Sequence, residues 1–518
     1  MSHTVNHTGN HVPHHIPAEI LHTQARTLWA ELEPRFNSGQ LKAKDRLAIP
    51  QMDMPTQDPQ IRACNQQEVA LGYSPEQARV EALRCLQCKN APCIQGCPVA
   101  IDIPAFLQKA AEGRFQESIN VIKEASLLPA ICGRVCPQEI QCMLTCTVGK
   151  SLKDPRKSVA IGRVEGFVAD WERNTGKVEV PHVLGDTGYK IAIVGSGPAS
   201  LTAAADLRKA GHRVEIFEAF HKPGGVMIYG IPEFRLPKAI VEKEIEQLKA
   251  MGVQFHMNFL IGRTRTIEQL LKTDGFHAVF IGSGAGLPRF MEIEGEHLIG
   301  VFSANEYLTR ANLMKAYDRD RVDTPIYQSK KVAVLGGGNV AMDAARMALR
   351  LGAQEVFIIY RRTRTEMPAR AEEVDHAEEE GIRFHFLTNP TRILGDKEGR
   401  VRAIECQNYE LGEPDESGRR SPIPIPESFF EMEMDTVIPA LGNLSNPLIR
   451  QTTGNLETDR RGNIVVDDCN RTSIPGVYAG GDIVLGAATV ILAMGQGRKA
   501  AQTISEDLAQ GSIFPSKK

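Results

Sequence analysis

The sequence predicts an α/β protein in which a helical domain precedes two βαβ domains, the second inserted in the first. Eight of the eleven cysteines lie between residues 85 and 146, where apolar residues follow a helical period and loops are short. Glycine-rich turns join apolar strands to helices at residues 195–200 and 336–341, about 140 residues apart. Residues 476–502 again join a strand, a glycine-rich turn and a helix, which indicates a return to the first βαβ domain.

Length, charge and hydropathy limit the possible function classes. The chain has 518 residues, which at about 150 residues per domain suggests about three domains. Its formal net charge is −3, so electrostatics gives no case for binding nucleic acid or an anionic membrane. No run of about 18 apolar residues predicts a membrane span, and the N-terminus lacks a signal-peptide pattern. We therefore expect a cytoplasmic protein.

Residues 1–55 form an N-terminal extension, which we expect to be poorly ordered apart from one helix near Ala18–Leu32. Six of the fourteen histidines lie in this extension: His3, His7, His11, His14, His15 and His22. A metal site is the alternative interpretation, but the spacing offers no fixed tetrahedral set of ligands. A polar tail is therefore the preferred interpretation, and its role stays open.

The cysteine-rich region, which we assign to residues 56–180, has the spacing of iron–sulfur ligands. Cytosolic thiols stay reduced, so crowded cysteines indicate metal ligation and not disulfides. The two runs are Cys85-x2-Cys88-x4-Cys93-x3-Cys97-Pro98 and Cys132-x3-Cys136-x5-Cys142-x3-Cys146. In bacterial two-cluster ferredoxins, the cysteine before proline ligates the neighbouring cluster. We therefore expect two [4Fe–4S] clusters, with structural zinc as the less favoured alternative.

The first glycine-rich turn predicts a dinucleotide site of the Rossmann type. Gly195 permits the tight turn, Gly197 lets a pyrophosphate approach the helix N-terminus, and Ser200 replaces the third glycine. Glu218 ends the second strand, 23 positions after Gly195, where it can accept hydrogen bonds from an adenosine ribose. We assign residues 187–325 and 445–518 to this domain.

The second glycine-rich turn, residues 336–341, has no acid at the matching ribose position. Tyr360 stands there, and it is followed by Arg361, Arg362 and Arg364. A guanidinium binds a 2′-phosphate that a carboxylate would repel, so this pattern favours NADP over NAD. The alternative is that the arginines form a solvated strand end. We assign residues 326–444 to this Rossmann-like domain.

Several motifs are specific enough to indicate a family. They are Arg84-Cys-Leu-Gln-Cys-Lys89, Gly96-Cys-Pro-Val99, Tyr229-Gly-Ile-Pro-Glu-Phe-Arg-Leu-Pro-Lys238, Gly284-Ala-Gly-Leu-Pro288, Tyr360-Arg-Arg362 with Met367-Pro368, and Ala479-Gly-Gly-Asp482. Together they resemble the small (β) subunit of NADPH-dependent glutamate synthase. The broader group includes the N-terminal half of dihydropyrimidine dehydrogenase and the large subunit of NADH-dependent ferredoxin–NADP oxidoreductase. The resemblance covers roughly Gln51 to Gln502.

The resemblance implies a set of ligands for each cluster. One cluster takes the first three cysteines of the first run and the last of the second: Cys85, Cys88, Cys93 and Cys146. The other takes the cysteine before proline, two cysteines of the second run and a side-chain oxygen: Cys97, Cys136, Cys142 and Glu165. A carboxylate ligand is expected to change the potential of that cluster. The rival assignment gives Cys132 the fourth place.

The resemblance also implies that the first nucleotide is FAD, with residues 229–238 and 486–490 near its ring. The predicted nucleotide-binding residues for FAD and NADPH together are Gly195, Gly197, Pro198, Ala199, Ser200, Glu218, Gly225, Arg235, Gly282, Gly284, Gly336, Gly338, Asn339, Val340, Arg361, Arg362, Gly481, Asp482, Ala487, Thr489 and Val490. Hydride transfer needs the nicotinamide held against the flavin in a dry site, so no catalytic acid or base is predicted.

The expected activity is NADPH oxidation, with electrons passing through FAD and two [4Fe–4S] clusters to a partner subunit. No glutaminase nucleophile or FMN barrel fits in this chain, so a glutamate synthase large (alpha) subunit would make glutamate from glutamine and 2-oxoglutarate. An oligomer is therefore expected. The alternatives are an NADP–ferredoxin oxidoreductase, with or without bifurcation, and a sulfide dehydrogenase subunit. The intact second turn argues against an electron-transfer module without NADPH turnover.

Overall fold

The computed structural model describes residues 15–176, 178–416 and 418–511. Short helices build the N-terminal part, and several begin at proline, whose fixed φ suits the first helical turn. Their bounds are α1 Ala18–Asn37, α2 Ala43–Ala48, α3 Pro59–Arg62, α4 Pro75–Leu83, α5 Pro92–Gln95, α6 Ile103–Ala111, α7 Phe115–Ala125, α8 Pro129–Val135, α9 Cys142–Thr145, α10 Thr147–Ser151 and α11 Ile161–Thr175. Apart from Cys132, which lies inside α8, the cysteines of both runs lie near or between the ends of these helices, so helix packing positions the thiols.

The helix expected near Ala18–Leu32 is present as α1, which extends to Asn37, and α2 follows at Ala43–Ala48. The expectation of poor order is therefore wrong for the residues between Leu32 and Ala48. The buried face of α1 has the three- and four-residue spacing of an amphipathic helix: Leu21, Ala25, Trp29 and Leu32. The Arg79 guanidinium lies 3.7 Å from the centre of the Trp29 ring, which ties α1 to α4. Four of the tail histidines lie outside the described residues: His3, His7, His11 and His14.

The first βαβ domain has a five-stranded parallel sheet in the order β3–β2–β1–β4–β14. Its elements are β1 Lys190–Val194, α12 Pro198–Lys209, β2 Arg213–Phe217, α13 Val226–Tyr229, α14 Lys238–Ala250, β3 Gln254–His256, α15 Ile267–Lys272, β4 Ala278–Ile281, β5 Leu287–Pro288 and α16 Ala304–Asn312, completed by β14 Val477–Ala479, α20 Asp482–Leu485 and α21 Val490–Gln510. Strand β14 joins this sheet after the chain has built the second domain, so that domain is an insertion.

The inserted domain has a four-stranded parallel sheet in the order β12–β6–β7–β8. Its elements are β6 Lys331–Leu335, α17 Asn339–Arg350, β7 Glu355–Tyr360, α18 Ala371–Glu379, β8 Arg383–Phe386, β9 Thr388–Gly395, β10 Val401–Pro414, β11 Arg420–Glu433 and β12 Thr436–Pro439. Strands β9, β10 and β11 form an antiparallel sheet that the sequence patterns did not predict. Strand β13 Asn443–Leu444 pairs with β5, and α19 spans Leu448–Thr452.

A short segment before the cysteines connects all three parts of the molecule. The fully buried guanidinium of Arg62 donates to Glu380 of the inserted domain at 3.0 Å. The backbone nitrogen of Val69 donates to the carbonyl oxygen of Phe234 in the first βαβ domain at 2.9 Å. The predicted fold class is therefore confirmed, and buried polar contacts join its parts. Within the described ranges, no helix is both long and apolar enough to cross a membrane.

Candidate cofactor and iron–sulfur site

A cavity of about 430 Å³ lies between the two βαβ domains. It brings together most of the residues predicted to bind FAD: Gly195, Gly197, Pro198, Ala199, Glu218, Gly225, Arg235, Gly282, Gly284, Gly481, Asp482, Ala487, Thr489 and Val490. Of the second glycine-rich turn, only Asn339 and Val340 line this cavity. Other polar side chains line it that the sequence patterns did not single out, among them Ser196, Asn305, Asp343, Asn443 and Asn446. The cavity is thus shaped by the first turn and only bordered by the second.

The first turn brings backbone against backbone at Gly195. Its φ is +90°, and a Cβ at this position would lie 2.7 Å from the carbonyl oxygen of Gly282. A side chain is therefore excluded on both conformational and steric grounds. At Gly197 nothing lies within 4 Å of an added Cβ, so this backbone faces open space at the start of α12. That is the arrangement in which a helix N-terminus binds a pyrophosphate.

Glu218 connects the two loops at the rim of the cavity. Its carboxylate accepts hydrogen bonds from the backbone nitrogens of Ser196 and Phe220, both at 2.9 Å, and from the Ser196 hydroxyl. The Ser196 oxygen in turn accepts from the Gly224 nitrogen at 2.9 Å. Glu218 therefore holds the turn in shape and also lines the cavity. Ser196 completes this connection. In the sequence, only its position between Gly195 and Gly197 could have indicated this role.

The C-terminal part of the chain closes the cavity from the opposite side. Burial raises the pKa of Asp482, at the start of α20, to about 6. Thr489 caps α21, and its hydroxyl accepts from the Leu492 nitrogen at 3.3 Å. The positive end of α21 therefore lies at the cavity, where it can stabilise negative charge on a bound ligand.

The loop 229–238 is held by a buried lysine. The ammonium of Lys238 donates to the carbonyl oxygens of Met227 at 3.1 Å and Leu236 at 3.0 Å, and also to that of Ile231. Burial lowers the pKa of Lys238 to about 8. These three hydrogen bonds fold the loop over the cavity, where Tyr229 lines the wall.

Several predicted residues lie outside the cavity. Ser200 is fully buried behind the turn, where its hydroxyl donates to Gly282 at 3.4 Å, so it acts in packing. Gly336 and Gly338 form the second turn beyond the cavity lining. At Gly336, φ is +142° and an added Cβ would lie 2.6 Å from the carbonyl oxygen of Ala440. In both glycine-rich turns the first glycine thus has a positive φ and packs closely against a carbonyl oxygen. Only the first turn, however, lines much of the cavity.

The three arginines after β7 have different surroundings. Arg361 is exposed. Arg362 is buried, and its guanidinium donates to Asp415 at 2.6 Å and to the Arg420 carbonyl at 2.7 Å. Arg364 pairs with acids of α18. Asp415 and the Arg420 carbonyl thus already accept hydrogen bonds from Arg362, whereas Arg361 faces solvent at the strand end. That these two arginines bind a 2′-phosphate stays a prediction.

A buried ion-pair network crosses the cavity wall at Arg235. Its guanidinium donates to both carboxylate oxygens of Asp343, at 2.6 and 2.7 Å, and lies 3.2 Å from Glu373. Burial raises the pKa of Asp343 to about 6. Arg346 continues the network to Glu373 and to Glu380 at 2.7 Å. Arg235 therefore links the two βαβ domains through α17. The sequence could have indicated Asp343, because it is a charged residue on a face of that helix that is otherwise rich in Ala and Met.

Four thiols from both cysteine runs form the first group: Cys85, Cys88, Cys93 and Cys146. Burial and the neighbouring thiols of Cys146 and Cys88 raise the pKa of Cys85 to about 11. Burial, together with Cys85 and Cys146, raises the pKa of Cys93 to about 12. The Cys88 sulfur lies 3.3 Å from the Thr147 hydroxyl, directly after Cys146. The fold thus groups the last cysteine of the second run with the first run.

A small cavity of about 20 Å³ contains the second group: Cys97, Cys132, Cys136, Cys142 and Glu165. Glu165 is 6% exposed, and its Oε1 has no hydrogen-bond partner among the described residues. Burial raises the pKa of Glu165 to about 8. An unpartnered carboxylate oxygen in a cavity lined by four thiols fits the donor set of a cluster, because a bound iron would satisfy it. The fifth member, Cys132, lies 3.6 Å from the sulfur of Met494.

The thiol groups do not form single-ion sites. Within the described ranges, no three His, Cys, Asp or Glu side chains are close enough together to hold a single metal ion. A cubic cluster has a different requirement, because its thiolates bind different iron atoms and lie farther apart than the ligands of one zinc ion.

Comparison with known families identifies the nucleotide-binding part. The family model of pyridine nucleotide-disulphide oxidoreductases matches residues 189–497, more than half of the chain. The chain belongs to this family. A second model, dihydropyrimidine dehydrogenase domain II with its 4Fe-4S cluster, matches residues 62–177. The chain therefore combines an FAD- and NADP-type oxidoreductase part with a 4Fe-4S cluster domain, as the sequence predicted.

Curated relatives refine the family membership. The chain is 41% identical to the NADP(+)-dependent formate dehydrogenase subunit beta of Moorella thermoacetica over 82% of its length, but spans only 61% of that protein. It is 36% identical to the glutamate synthase [NADPH] small chain of Azospirillum brasilense, covering 84% of this chain and 90% of that one. The chain thus belongs to the glutamate synthase small-chain family, and the predicted resemblance is confirmed.

A solved structure shows the same fold for the second part of the chain. FprA from Mycobacterium tuberculosis in complex with NADPH matches with a TM-score of 0.53 and 23% identity. The match covers 63% of this chain and 87% of FprA. At this identity the similarity concerns the fold alone.

Proposed function

We propose that the chain is the electron-input small subunit of a glutamate synthase, which oxidises NADPH and passes electrons through FAD and two [4Fe–4S] clusters to a large subunit. The observation that carries this proposal is the position of the first turn of α21. Val490 lines the large cavity, and the next residue, Ile491, lines the cavity of the second thiol group. Gly495 packs against Pro98, since an added Cβ would lie 2.8 Å from its carbonyl oxygen. One helical turn therefore separates the two sites.

The large cavity is proposed to hold FAD. The α12 N-terminus at Gly197 would bind the pyrophosphate, Glu218 the adenosine ribose, and Asp482 the ribityl chain or phosphate. The start of α21 at Thr489 would face the pyrimidine side of the ring. When bound, FAD accepts a hydride and releases its electrons singly, which is the conversion that a chain from NADPH to iron–sulfur clusters needs.

The second turn is proposed to bind NADPH so that its nicotinamide reaches the same cavity past Asn339 and Val340. Arg361 is the proposed ligand of the 2′-phosphate, because it is exposed and its neighbour Arg362 is occupied by Asp415. The Lys238-anchored loop covers the cavity and would exclude water from the site of hydride transfer. The protein's contribution is orientation and exclusion of water, and no side-chain acid or base is required.

Each thiol group is proposed to hold one [4Fe–4S] cluster. Cys85, Cys88, Cys93 and Cys146 would hold the first. Cys97, Cys136, Cys142 and Glu165 would hold the second, which leaves Cys132 outside the ligand set. The unpartnered oxygen of Glu165 supports this choice, and so does the contact of Cys132 with Met494. A carboxylate ligand would give the second cluster a potential different from that of an all-thiolate cluster.

The partner would supply the remaining chemistry, forming glutamate from glutamine and 2-oxoglutarate. We expect this to occur in the cytoplasm, where the thiols stay reduced. The leading alternative is a subunit of another NADP-linked oxidoreductase, because the relative with 41% identity is a formate dehydrogenase subunit. The higher coverage of the glutamate synthase small chain, 90% against 61%, favours the first proposal. An NADP–ferredoxin oxidoreductase, bifurcating or not, or a sulfide dehydrogenase would imply a different partner.

Anaerobic purification followed by NADPH titration tests the proposal. We expect one FAD and eight iron and eight sulfide per chain, and NADPH should bleach first the flavin and then the cluster absorbance. Addition of the purified large chain of glutamate synthase should then yield glutamate from glutamine and 2-oxoglutarate. Zinc in place of iron, or a flavin that NADPH does not bleach, would contradict the proposal. Bleaching without glutamate formation would favour a different partner.

The ligand assignment has its own test in two single variants. Glu165→Cys should keep both clusters but shift the potential of one, measured by redox titration with electron paramagnetic resonance. Cys132→Ser should change neither iron content nor the two potentials, because Cys132 lies outside the proposed set. Loss of a cluster in Cys132→Ser, with unchanged potentials in Glu165→Cys, would assign the fourth place to Cys132.

A further inference from the structure

The loops that carry the thiols of both groups have an excess of positive charge. The loops that supply the thiols, residues 85–97 and 136–157, contain five cations: Lys89, Lys150, Lys153, Arg156 and Lys157. They contain only two carboxylates, Glu139 and Asp154, and both already face arginines, at 3.5 and 3.1 Å. The local net charge is thus +3 in a chain whose total is −3.

Two exposed apolar side chains lie among these cations. Ile140 is 66% exposed and Leu144 is 49% exposed, on either side of the ligand Cys142. The cationic segment packs directly beside them, since the Ser158 hydroxyl donates to the Met143 carbonyl at 2.8 Å. Lys89 follows Cys88, whose sulfur contacts Thr147 at the start of α10. Six exposed side chains on these contacting segments are considered together as one face: Lys89, Ile140, Leu144, Lys150, Lys153 and Lys157.

We propose that this face docks the acidic surface of a partner redox subunit and is the exit for electrons; the inference rests on the proposed function. The second thiol group contacts α21 beside the flavin cavity, through Ile491 and Met494. The first group instead contacts α10 and α2, where Arg46 donates to the Cys85 carbonyl at 2.9 Å. Cys88 is only half-buried, so the first cluster has an outer side beneath the docking face. Electrons would therefore leave the chain there.

The composition of the docking face indicates which class of macromolecule binds it. Exposed apolar residues surrounded by cations match a protein interface with an apolar centre and an acidic rim. A nucleic acid would use the cations but would leave Ile140 and Leu144 uncovered. The relatives are themselves a small chain and a subunit beta, which favours a stable partner subunit. The occupant is thus a redox subunit with its own electron acceptor close to an acidic surface.

Charge reversal tests the docking face in the complete protein. We compare Lys150→Glu/Lys157→Glu with the control Lys315→Glu/Lys397→Glu, whose lysines are equally exposed on the two βαβ domains. Binding to the purified glutamate synthase large chain is measured by titration calorimetry at low and high ionic strength. The first double variant should bind about tenfold more weakly at low ionic strength and lose most of its salt dependence, whereas the control should bind normally. NADPH-dependent reduction of menadione, an uncharged acceptor, should be unchanged in both.

The possible outcomes separate the docking face from the proposed function. Unchanged binding of Lys150→Glu/Lys157→Glu, or equal losses in both double variants, would overturn the docking face alone. If the wild-type chain does not bind the large chain although NADPH bleaches its flavin and clusters, the partner is wrong and the docking proposal fails with it. If a DNA duplex binds this face as tightly as the large chain and competes with it, the proposal that the face docks a redox subunit is wrong. Ile140→Gln offers a charge-neutral second variant and should also weaken binding.

Discussion

The two dinucleotide-binding turns begin with the same geometry but lie in different surroundings. Gly195 and Gly336 both have positive φ and both pack against a carbonyl oxygen, at 2.7 and 2.6 Å from an added Cβ. Around the first turn, loops of both βαβ domains and of the C-terminal helix close a cavity. At the second, Val340 is 40% exposed and the strand ends in the exposed Arg361.

Under the proposed function, this difference assigns a resident cofactor to the first turn and an exchanging one to the second. A nucleotide enclosed on several sides loses contact with solvent and dissociates slowly. A nucleotide held at an open strand end by a surface guanidinium can leave after each turnover. One chain thus uses the same βαβ unit twice, and what lies around the unit decides how long the ligand stays.

Replacing the first glycine of each turn by valine should give the largest difference between the two turns. Gly195→Val should leave less than about a tenth of the normal FAD content, because the side chain cannot adopt the required φ beside Gly282. Gly336→Val should keep its FAD and iron but lose about a hundredfold in kcat/KM for NADPH. Flavin absorbance, iron content and steady-state dye reduction measure these effects. Loss of FAD in Gly336→Val would contradict the separation of the sites.

Single arginine replacements would sharpen the assignment of the open turn. Arg361→Ala should raise KM for NADPH about tenfold or more and leave KM for NADH nearly unchanged, because only NADPH has the 2′-phosphate. Arg362→Ala should alter the NADPH preference far less, since Arg362 is bound to Asp415. Steady-state kinetics with both nucleotides measures the ratio. A larger change in that ratio from Arg362→Ala would assign the phosphate to the buried residue.

Removing the negative charge of Glu218, the carboxylate proposed to bind the adenosine ribose, should have a smaller effect. This effect should be confined to FAD binding at the first turn. Glu218→Gln keeps the size of the side chain but weakens its hydrogen bonds to Ser196 and to a ribose. We expect about tenfold weaker FAD binding, measured by flavin release on dilution, with KM for NADPH unchanged in the FAD-saturated protein. Equal weakening of both nucleotides would indicate that Glu218 acts through the shared domain interface.

The smallest expected effect concerns pH, because the inserted domain is held by buried polar groups. Burial, and then Arg346, lowers the pKa of His376 to about 4 from an ordinary value of 6.5, and Glu372, Glu373 and Arg62 also face it. The unfolded chain therefore binds a proton between pH 6.5 and 4 that the folded chain does not. Stability should fall as pH decreases through this window.

Scanning calorimetry between pH 7 and pH 5 measures this dependence. His376→Gln should flatten the decline in melting temperature, because an uncharged side chain takes up no proton. The exposed His221 offers a matched control, and His221→Gln should keep the wild-type profile. An equally steep decline in His376→Gln would assign the pH dependence to other groups.

Local patterns predicted more of the fold than of the site. The strand, turn and helix at each fingerprint follow from local hydrophobic periods and glycine spacing, and they occur as expected. The N-terminal helix was underestimated, because its buried face meets a partner helix only after folding. The antiparallel strands β9–β11 pair as consecutive hairpins, but they were missed because β11 contains Pro422, Pro424 and Pro426, which argue locally against a strand.

The sequence by itself determined the chemistry available to this protein: eight clustered thiols, two glycine-rich turns, one ribose acid and a run of arginines. Tertiary structure decided how these groups are used. Arg361 and Arg362 are chemically identical neighbours, yet only one is free, because Asp415, 53 residues away, reaches the other. Likewise, Cys146 lies beside Cys85 and not with its own run. Contacts between residues distant in the chain depend on packing, which no local spacing encodes.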